Sequence, residues 1–528
     1  MTEPDASAVS PLPVASESPF TPVPAPVIPP APRDALPLLV TALLALLALA
    51  LTHRADGTPG LNILLIAAAL TASVVAALRA RQTRLRPAAL ALLGLGLACA
   101  LGLSVRGGDL MNFLNLLGLL VAFGLGSAYL HFPGLSRLSV AEVLVAGIVS
   151  AGRGLSGFPT SLGRVPWSRF RGGAVQRQQG GRVLIGLLFT LPVLLVFGAL
   201  LGAADERFGH LLSRLFTWDI GDLPTLLFQF GFWLFLLGGP VYAALLARRA
   251  MPELGSVSSP PQLGLIELGM PLLSLSLLFS AYLAVQASSF FGNGLAPGLT
   301  YAGAVQRGFG ELTAVAALTL VLLLLLHALL RRELRTGLAY RSISAAVLLP
   351  LALLIVSAYQ KLSLYVSAYG LSEIRVLGAV FLAWVSVSLL AFAFLGWLGR
   401  LERFAYFSLI SGLSLIAGLN LVNPGRLIAS VNVGRSLQQN ADGRSGQQAS
   451  FYHLLSLGAD AVPVIAANLS HLTGPQASAN ASLSDSFPPT PQHARQLLRE
   501  RFATGAPDWR SWNLARARAR TLVLALGN

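Results

Sequence analysis

The sequence predicts an all-α, polytopic transmembrane bundle of about eleven spans, and three observations carry that prediction. Of 528 residues, 54% are hydrophobic and 11% charged, whereas a water-soluble domain clothes its surface with about a quarter charged residues. Apolar runs of spanning length recur along most of the chain. The arginines behind the net charge of +15 sit in short clusters between those runs. A nucleic-acid partner would call for one basic patch, so the clusters read as a topology signal and no nucleic acid is expected.

Residues 1–34 hold ten prolines between Pro4 and Pro32. Proline lacks the amide donor and restricts the residue before it, so a disordered tail is expected there. With neither a basic start nor a cleavage pattern, it does not resemble a signal peptide.

The apolar segments follow within residues 35–422: Leu36 to Thr52, Leu61 to Leu78, Ala88 to Val105, Leu110 to Leu130, Val183 to Ala203, Leu223 to Leu246, Leu263 to Val285, Leu312 to Leu330, Ile343 to Gln360, Val376 to Leu398 and Phe404 to Val422. Each reaches or nears the ~20 residues that ~30 Å of hydrocarbon demands. In lipid every backbone amide needs a partner inside its own segment, which leaves helix as the conformation for runs of this length.

Alternate connections carry the basic residues: Arg79, Arg81, Arg84 and Arg86; the basic loop 131–182; Arg248 and Arg249; Arg331, Arg332, Arg335 and Arg341; Arg400 and Arg403. The opposite connections are poorer, with Arg54, Arg106, Arg207, Arg214 and Arg307. The positive-inside rule makes the richer side cytoplasmic, where anionic lipid headgroups are the expected partners. The N-terminal tail then lies in the cytoplasm and the region after Asn423 outside, in a bacterial cytoplasmic membrane. That region is itself arginine-rich, which runs against the assignment. It divides into a helical segment over 423–474, a Pro/Ser/Ala-rich linker over 475–491 and short helices over 492–528. Trp509 and Trp512 beside arginines suit either a membrane interface or packing in a small domain.

Ionisable groups near the bilayer are costly and so draw functional readings. Arg307 and Glu311 stand four apart at the entry to the eighth apolar segment: either a self-neutralising pair or a polar cavity that binds an ion or proton. Between the ninth and tenth segments, Lys361, Tyr365, Tyr369, Glu373 and Arg375 either ring a shallow outer site or are aromatic-belt anchors beside a helix capped by Ser372. Asn112, Asn115 and Asn420 are of the kind that joins helices by hydrogen bonds in lipid. The lone Cys99 and seven dispersed histidines offer no disulfide or metal set, and neither a metal nor a cofactor is expected. Phosphate-loop, zinc-protease and nucleophile-elbow patterns are missing.

Five ordered elements carry a resemblance: Tyr301 to Glu311, Leu364 to Arg375, Asn423 to Asn432, Ala459 to Pro463 around Asp460, and Asp508 to Asn513. Together the set resembles the uncharacterised bacterial membrane proteins of domain of unknown function 4173, related to the 4153 group. The resemblance implies a multi-pass membrane protein with hallmark residues on the outer side, and brings no activity, cofactor or substrate. The Gln/Gly-rich stretch Gln438 to Gln448 departs from that pattern.

The resulting expectation is a non-enzymatic scaffold or sensor whose outer tail packs on the tyrosine-rich turn, bringing Tyr365 near Asp460. A secondary transporter or channel is the alternative, though midplane polar groups and paired repeats are sparse. A lipid-linked envelope-synthesis enzyme is the third, drawing on Asp205, Glu206, Asp219 and Asp222.

Overall fold

The computed structural model describes residues 36–53, 58–80, 86–131, 223–246, 263–291, 301–441, 449–473, 489–504 and 508–526, with scattered positions in 140–165. The expected span over 183–203, the basic loop apart from scattered positions, the four carboxylates at 205–222, the N-terminal tail and most of the linker lie outside them.

The chain is helical, with no strand among the described residues. The helices are α1 (Leu36–Thr52), α2 (Leu61–Ala80), α3 (Pro87–Val105), α4 (Asp109–His131), α5 (Leu223–Leu246), α6 (Leu265–Phe291), α7 (Tyr301–Leu329), α8 (Leu338–Tyr369), α9 (Glu373–Trp397) and α10 (Phe404–Val422). Among the described residues, nine helices, α2 to α10, are long and apolar enough to cross a membrane, and α1 is a shorter apolar helix. After them come α11 (Pro424–Ala441), α12 (Phe451–Ser456), α13 (Val462–Ala467), α14 (Leu469–Thr473), α15 (Pro491–Phe502) and α16 (Leu514–Ala525).

Among the described residues, the two larger apolar cores of the spanning helices lie one in each half. In one, α1, α2, α3 and α5 enclose Leu44, Ile66, Leu70, Leu93 and Leu237. In the other, α6 to α9 enclose Leu272, Leu323, Leu351 and Leu382. On α8 the buried positions Val347, Leu351, Leu354 and Ala358 repeat at three and four residues, the spacing that keeps one stripe of a helix against its neighbours. Helix α10 joins the halves by packing on α3, α4 and α9. Large side chains such as Leu277, Leu318, Leu349 and Leu390 stay largely exposed on the outer surface of these helices, an apolar exterior suited to lipid.

One feature of α8 differs from the sequence expectation. Hydropathy bounds the ninth span at Gln360, but the helix runs on to Tyr369, so Lys361, Tyr365 and Tyr369 lie on its last turns and only Gly370, Leu371 and Ser372 form the turn. No helix breaker occurs between Gln360 and Gly370, which takes φ 75° and ends the helix as glycine can without a Cβ clash. Ser372 occupies the N-cap position of α9 yet makes no side-chain cap hydrogen bond.

Pro350 sits inside α8 and lacks the amide that would bond the Ala346 carbonyl. Ser276 of α6 donates its hydroxyl to that oxygen at 2.6 Å, so a neighbouring helix satisfies what the proline orphans. Ser276→Ala is expected to destabilise the bundle by roughly 1 kcal/mol, read as a lower midpoint of unfolding in sodium dodecyl sulfate. The same substitution with Pro350→Ala should cost less than the two effects added, because an alanine at that position restores the amide.

Candidate functional site

Helices α11 to α16 form a layer with a core of its own, built on Ile428, Leu454, Leu457, Ile465, Leu498 and Val523. The layer lies across one end of the bundle. Its contacts fall on the end of α1, the start of α2, the α3–α4 turn, the α8–α9 turn and the end of α10. The basic clusters Arg79, Arg331, Arg332, Arg335, Arg400 and Arg403 belong to the opposite helix ends.

The centre of this junction is Asp460, whose side chain is 3% exposed. Its Oδ2 accepts from the backbone amides of Gly107 at 2.7 Å and Gly108 at 3.2 Å, in the turn between α3 and α4. Its Oδ1 accepts from Asn423 Nδ2 at 3.0 Å and lies 3.6 Å from Arg106 Nη1. Every polar face of the buried carboxylate therefore meets a donor or a cation, the condition under which such a charge is tolerated away from water. Backbone approach makes this possible: Gly458 takes φ 82°, and a Cβ there would lie 2.6 Å from the Gly107 carbonyl oxygen.

Arg106 reaches further. Its Nε donates at 2.6 Å to the Asn420 carbonyl, which also receives Nη2. Four residues on is Pro424, with no amide to offer that oxygen, so Arg106 supplies the missing donor. Below it, Asn115 of α4 and Asn420 of α10 exchange side-chain hydrogen bonds, both at 2.8 Å, in a buried amide pair. Asn513, ahead of α16, donates to the carbonyls of Leu103 and Arg106 at 2.8 and 2.7 Å. Arg510 holds the carbonyls of Ala50 and His53 at 3.0 and 2.7 Å, and Arg516 that of Pro59 at 2.6 Å.

A second cluster lies at the α8–α9 turn. Asn432 of α11 accepts from the Leu371 amide and donates to its carbonyl, both at 2.8 Å, pairing with the turn as a strand neighbour would. Arg375 Nη1 donates to the carbonyls of Tyr369 at 3.0 Å and Gly370 at 2.6 Å, at the C-terminus of α8. Its guanidinium lies 4.0 Å from the centre of the Tyr365 ring, and the Tyr365 and Tyr369 rings are 5.5 Å apart.

The eight residues singled out in the sequence do not make one site. Tyr365, Tyr369 and Arg375 come together as described. Lys361 points instead to α6 and α7: its Nζ donates to Tyr282 Oη at 3.4 Å, in the space left by Gly308. Glu311 is exposed on α7, and the Arg307 side chain lies outside the described residues. Glu373 is half-buried at the start of α9, within electrostatic range of Asp109. Asp460 bonds the α3–α4 turn and Asn423, and none of its polar contacts reaches Tyr365. Trp509 and Trp512 are both exposed, at 61% and 44%.

Sequence reasoning singled out Asn423, Asn432 and Asn513 only as ends of the elements that carry the resemblance and Arg106 only as one basic residue of a poorer connection, giving none of them a role at a site. The available signal was Arg106-Gly107-Gly108, an arginine followed by two glycines in a connection otherwise poor in charge. Among the described residues no group of three or more His, Cys, Asp or Glu could hold a metal ion.

The buried amide pair gives a direct test. In a double-mutant cycle on Asn115→Ala and Asn420→Ala, the coupling in unfolding free energy is expected to be about 1 kcal/mol; strictly additive losses would show that the two amides act separately.

The family model described as "Domain of unknown function (DUF4153)" matches residues 88–468. No curated protein and no solved structure matches the chain. The matched stretch contains Arg106, Gly107, Asn115, Asn420, Asn423 and Asp460, so the whole junction centre falls within it, while α15 and α16 fall outside. Kinship with the 4173 group rests on the sequence resemblance, and the match does not extend to it. The chain is thus a multi-pass membrane protein that belongs to the DUF4153 family, a family defined by a domain of unknown function.

Proposed function

We propose that this protein is a non-enzymatic scaffold or sensor of the bacterial cytoplasmic membrane, in which the C-terminal helical layer is held against the outer ends of the spanning helices. The observation that carries the reading is the Asp460 junction: a buried carboxylate joins the layer to α3, α4 and α10 at once. A contact of this kind transmits a change at either partner to the other, which suits a scaffold or sensor.

The sidedness follows from charge. Arginine clusters lie at the helix ends away from the layer, and the positive-inside rule makes that face cytoplasmic and a partner for anionic headgroups. The N-terminal tail is then cytoplasmic and the layer external.

Cysteine labelling tests the orientation, since the native Cys99 is fully buried and supplies little background. In intact cells a membrane-impermeant maleimide is expected to label Arg518→Cys on α16, and to label Arg400→Cys only after permeabilisation. The reverse pattern would invert the assignment.

Docking itself is tested with Asp460→Ala. Removing one partner of a buried pair costs about 3–5 kcal/mol, so hydrogen exchange should rise across 449–473 and in the 106–109 turn while the spans stay protected. If the layer is what the cell needs, Asp460→Ala and removal of residues 424–528 will share one growth phenotype. Normal protection in Asp460→Ala, or distinct phenotypes, would refute the reading.

A further inference from the structure

Of the 37 lysines and arginines in this chain, only Lys361 is a lysine. Its ammonium group lies where three spanning helices meet. Nζ donates to Tyr282 Oη of α6 at 3.4 Å and stands 5.9 Å from the centre of that ring. It also fits a notch in α7, since a Cβ at Gly308 would lie 2.9 Å from it.

No counter-ion for this cation is found among the described residues, where no carboxylate forms a salt bridge with Lys361. The adjoining connections 292–300 and 370–372 contain neither Asp nor Glu. An ammonium carries three N–H donors, and Tyr282 takes one of them. The Tyr282 hydroxyl, having accepted that bond, keeps its own proton to donate, and it donates to no acceptor among the described residues. The two donor groups, in contact with each other, are close enough for one phosphate to take a hydrogen bond from each.

The pair opens toward lipid. Tyr282 is 43% exposed, and Leu278 and Val285, on the same face of α6, are exposed apolar side chains, as is Leu364 one turn after Lys361. The depth agrees. Gly308 is the first residue of the apolar window of α7, and the windows of α6 and α8 end at Gln286 and Ser367, within two turns of Tyr282 and Lys361. The ammonium therefore lies at the edge of the hydrocarbon, where a lysine reaches the phosphate groups of the headgroups.

We propose that Lys361 and Tyr282 bind the phosphate of an anionic phospholipid, in the leaflet beside the C-terminal layer, at the meeting of α6, α7 and α8. A zwitterionic lipid brings its own cation and leaves less charge to neutralise Lys361, so the site selects an anionic headgroup. The inference goes beyond the scaffold reading and does not depend on it, because all three helices belong to the bundle.

A single lysine makes the site directly observable, since isotope-labelled lysine marks this residue alone. With the full-length protein in phosphatidylcholine nanodiscs, phosphatidylglycerol is expected to shift the Lys361 Cε resonance saturably, and inorganic phosphate is not. Tyr282→Phe keeps the ring and removes the hydroxyl donor, so half-saturation should need about threefold more phosphatidylglycerol. By native mass spectrometry Lys361→Gln should retain one phosphatidylglycerol fewer than the unmodified protein, and Arg518→Gln, exposed on α16, should retain as many.

Absence of a shift with phosphatidylglycerol overturns the proposal, as does an unchanged half-saturation in Tyr282→Phe or an equal loss of lipid in Arg518→Gln. A shift with inorganic phosphate in phosphatidylcholine alone would make the ligand a soluble anion and overturn the lipid assignment. Glu311, exposed on α7 one turn inward of Gly308, provides a further arm: Glu311→Gln should leave the titration unchanged, and a tighter response would show that Glu311 is the resident counter-ion. Should Lys361→Gln fail to fold, the titrations of the unmodified protein and of Tyr282→Phe still decide.

Discussion

The arrangement of this protein depends on one buried carboxylate. Asp460 lies on the far side of the sequence from the Gly107 and Gly108 amides it accepts, and it supplies the charged, directional contact between the layer and the α3–α4 turn. The apolar core of the layer, from Ile428 to Val523, also packs against Leu371 and Val376 of the bundle, but apolar contact alone does not fix a register. Position requires directional bonds. A carboxylate that must be fully partnered once buried provides them, since any displaced arrangement leaves a charge with neither water nor donor.

A second constraint runs through the molecule: helix ends leave carbonyls without amides, and near lipid water is a poor substitute. Helices α1, α3, α8 and α10 all finish on the face that carries the layer. Each finds a side-chain donor there, Arg510 for α1, Asn513 for α3, Arg375 for α8 and Arg106 for α10. Three of the four are arginines, as the negative end of a helix dipole favours. The prolines show the same logic in miniature: Pro350 strips the partner from Ala346 and Pro424 from Asn420, and Ser276 and Arg106 replace them.

Most of the spanning architecture was legible in the sequence because lipid imposes a one-dimensional rule, an apolar run of sufficient length. Ten of the eleven expected segments correspond to described helices, and the remaining one falls outside the described residues. Boundaries were less legible where hydropathy fades before the helix does. Lys361 interrupts the apolar run of α8, yet the backbone continues helical until Gly370 because lysine is a good helix former. The junction was barely legible. Asp460 stood out as a motif residue, but the glycine amides it accepts lie more than 350 residues away, and no periodicity records a contact at that separation. Arg106 figured only in a count of basic residues, and Asn432 only as the end of a motif element, with no partner assigned to either.

The arginine-rich C-terminal region runs against an external location on charge alone, and the helix-end account removes much of that conflict. The positive-inside rule concerns arginines that remain near a membrane surface while the chain inserts, counted over short loops. Arg510 and Arg516 belong instead to a long terminal region, and in the folded protein their guanidinium groups lie on the carbonyls of Ala50, His53 and Pro59. In the proposed orientation, their charge compensates helix ends and does not count against it. Arginine at these positions therefore reports on where helices end, while the proposed direction of the helices draws on arginine in the short loops of the opposite face. One residue type carries two signals, and only the contacts separate them.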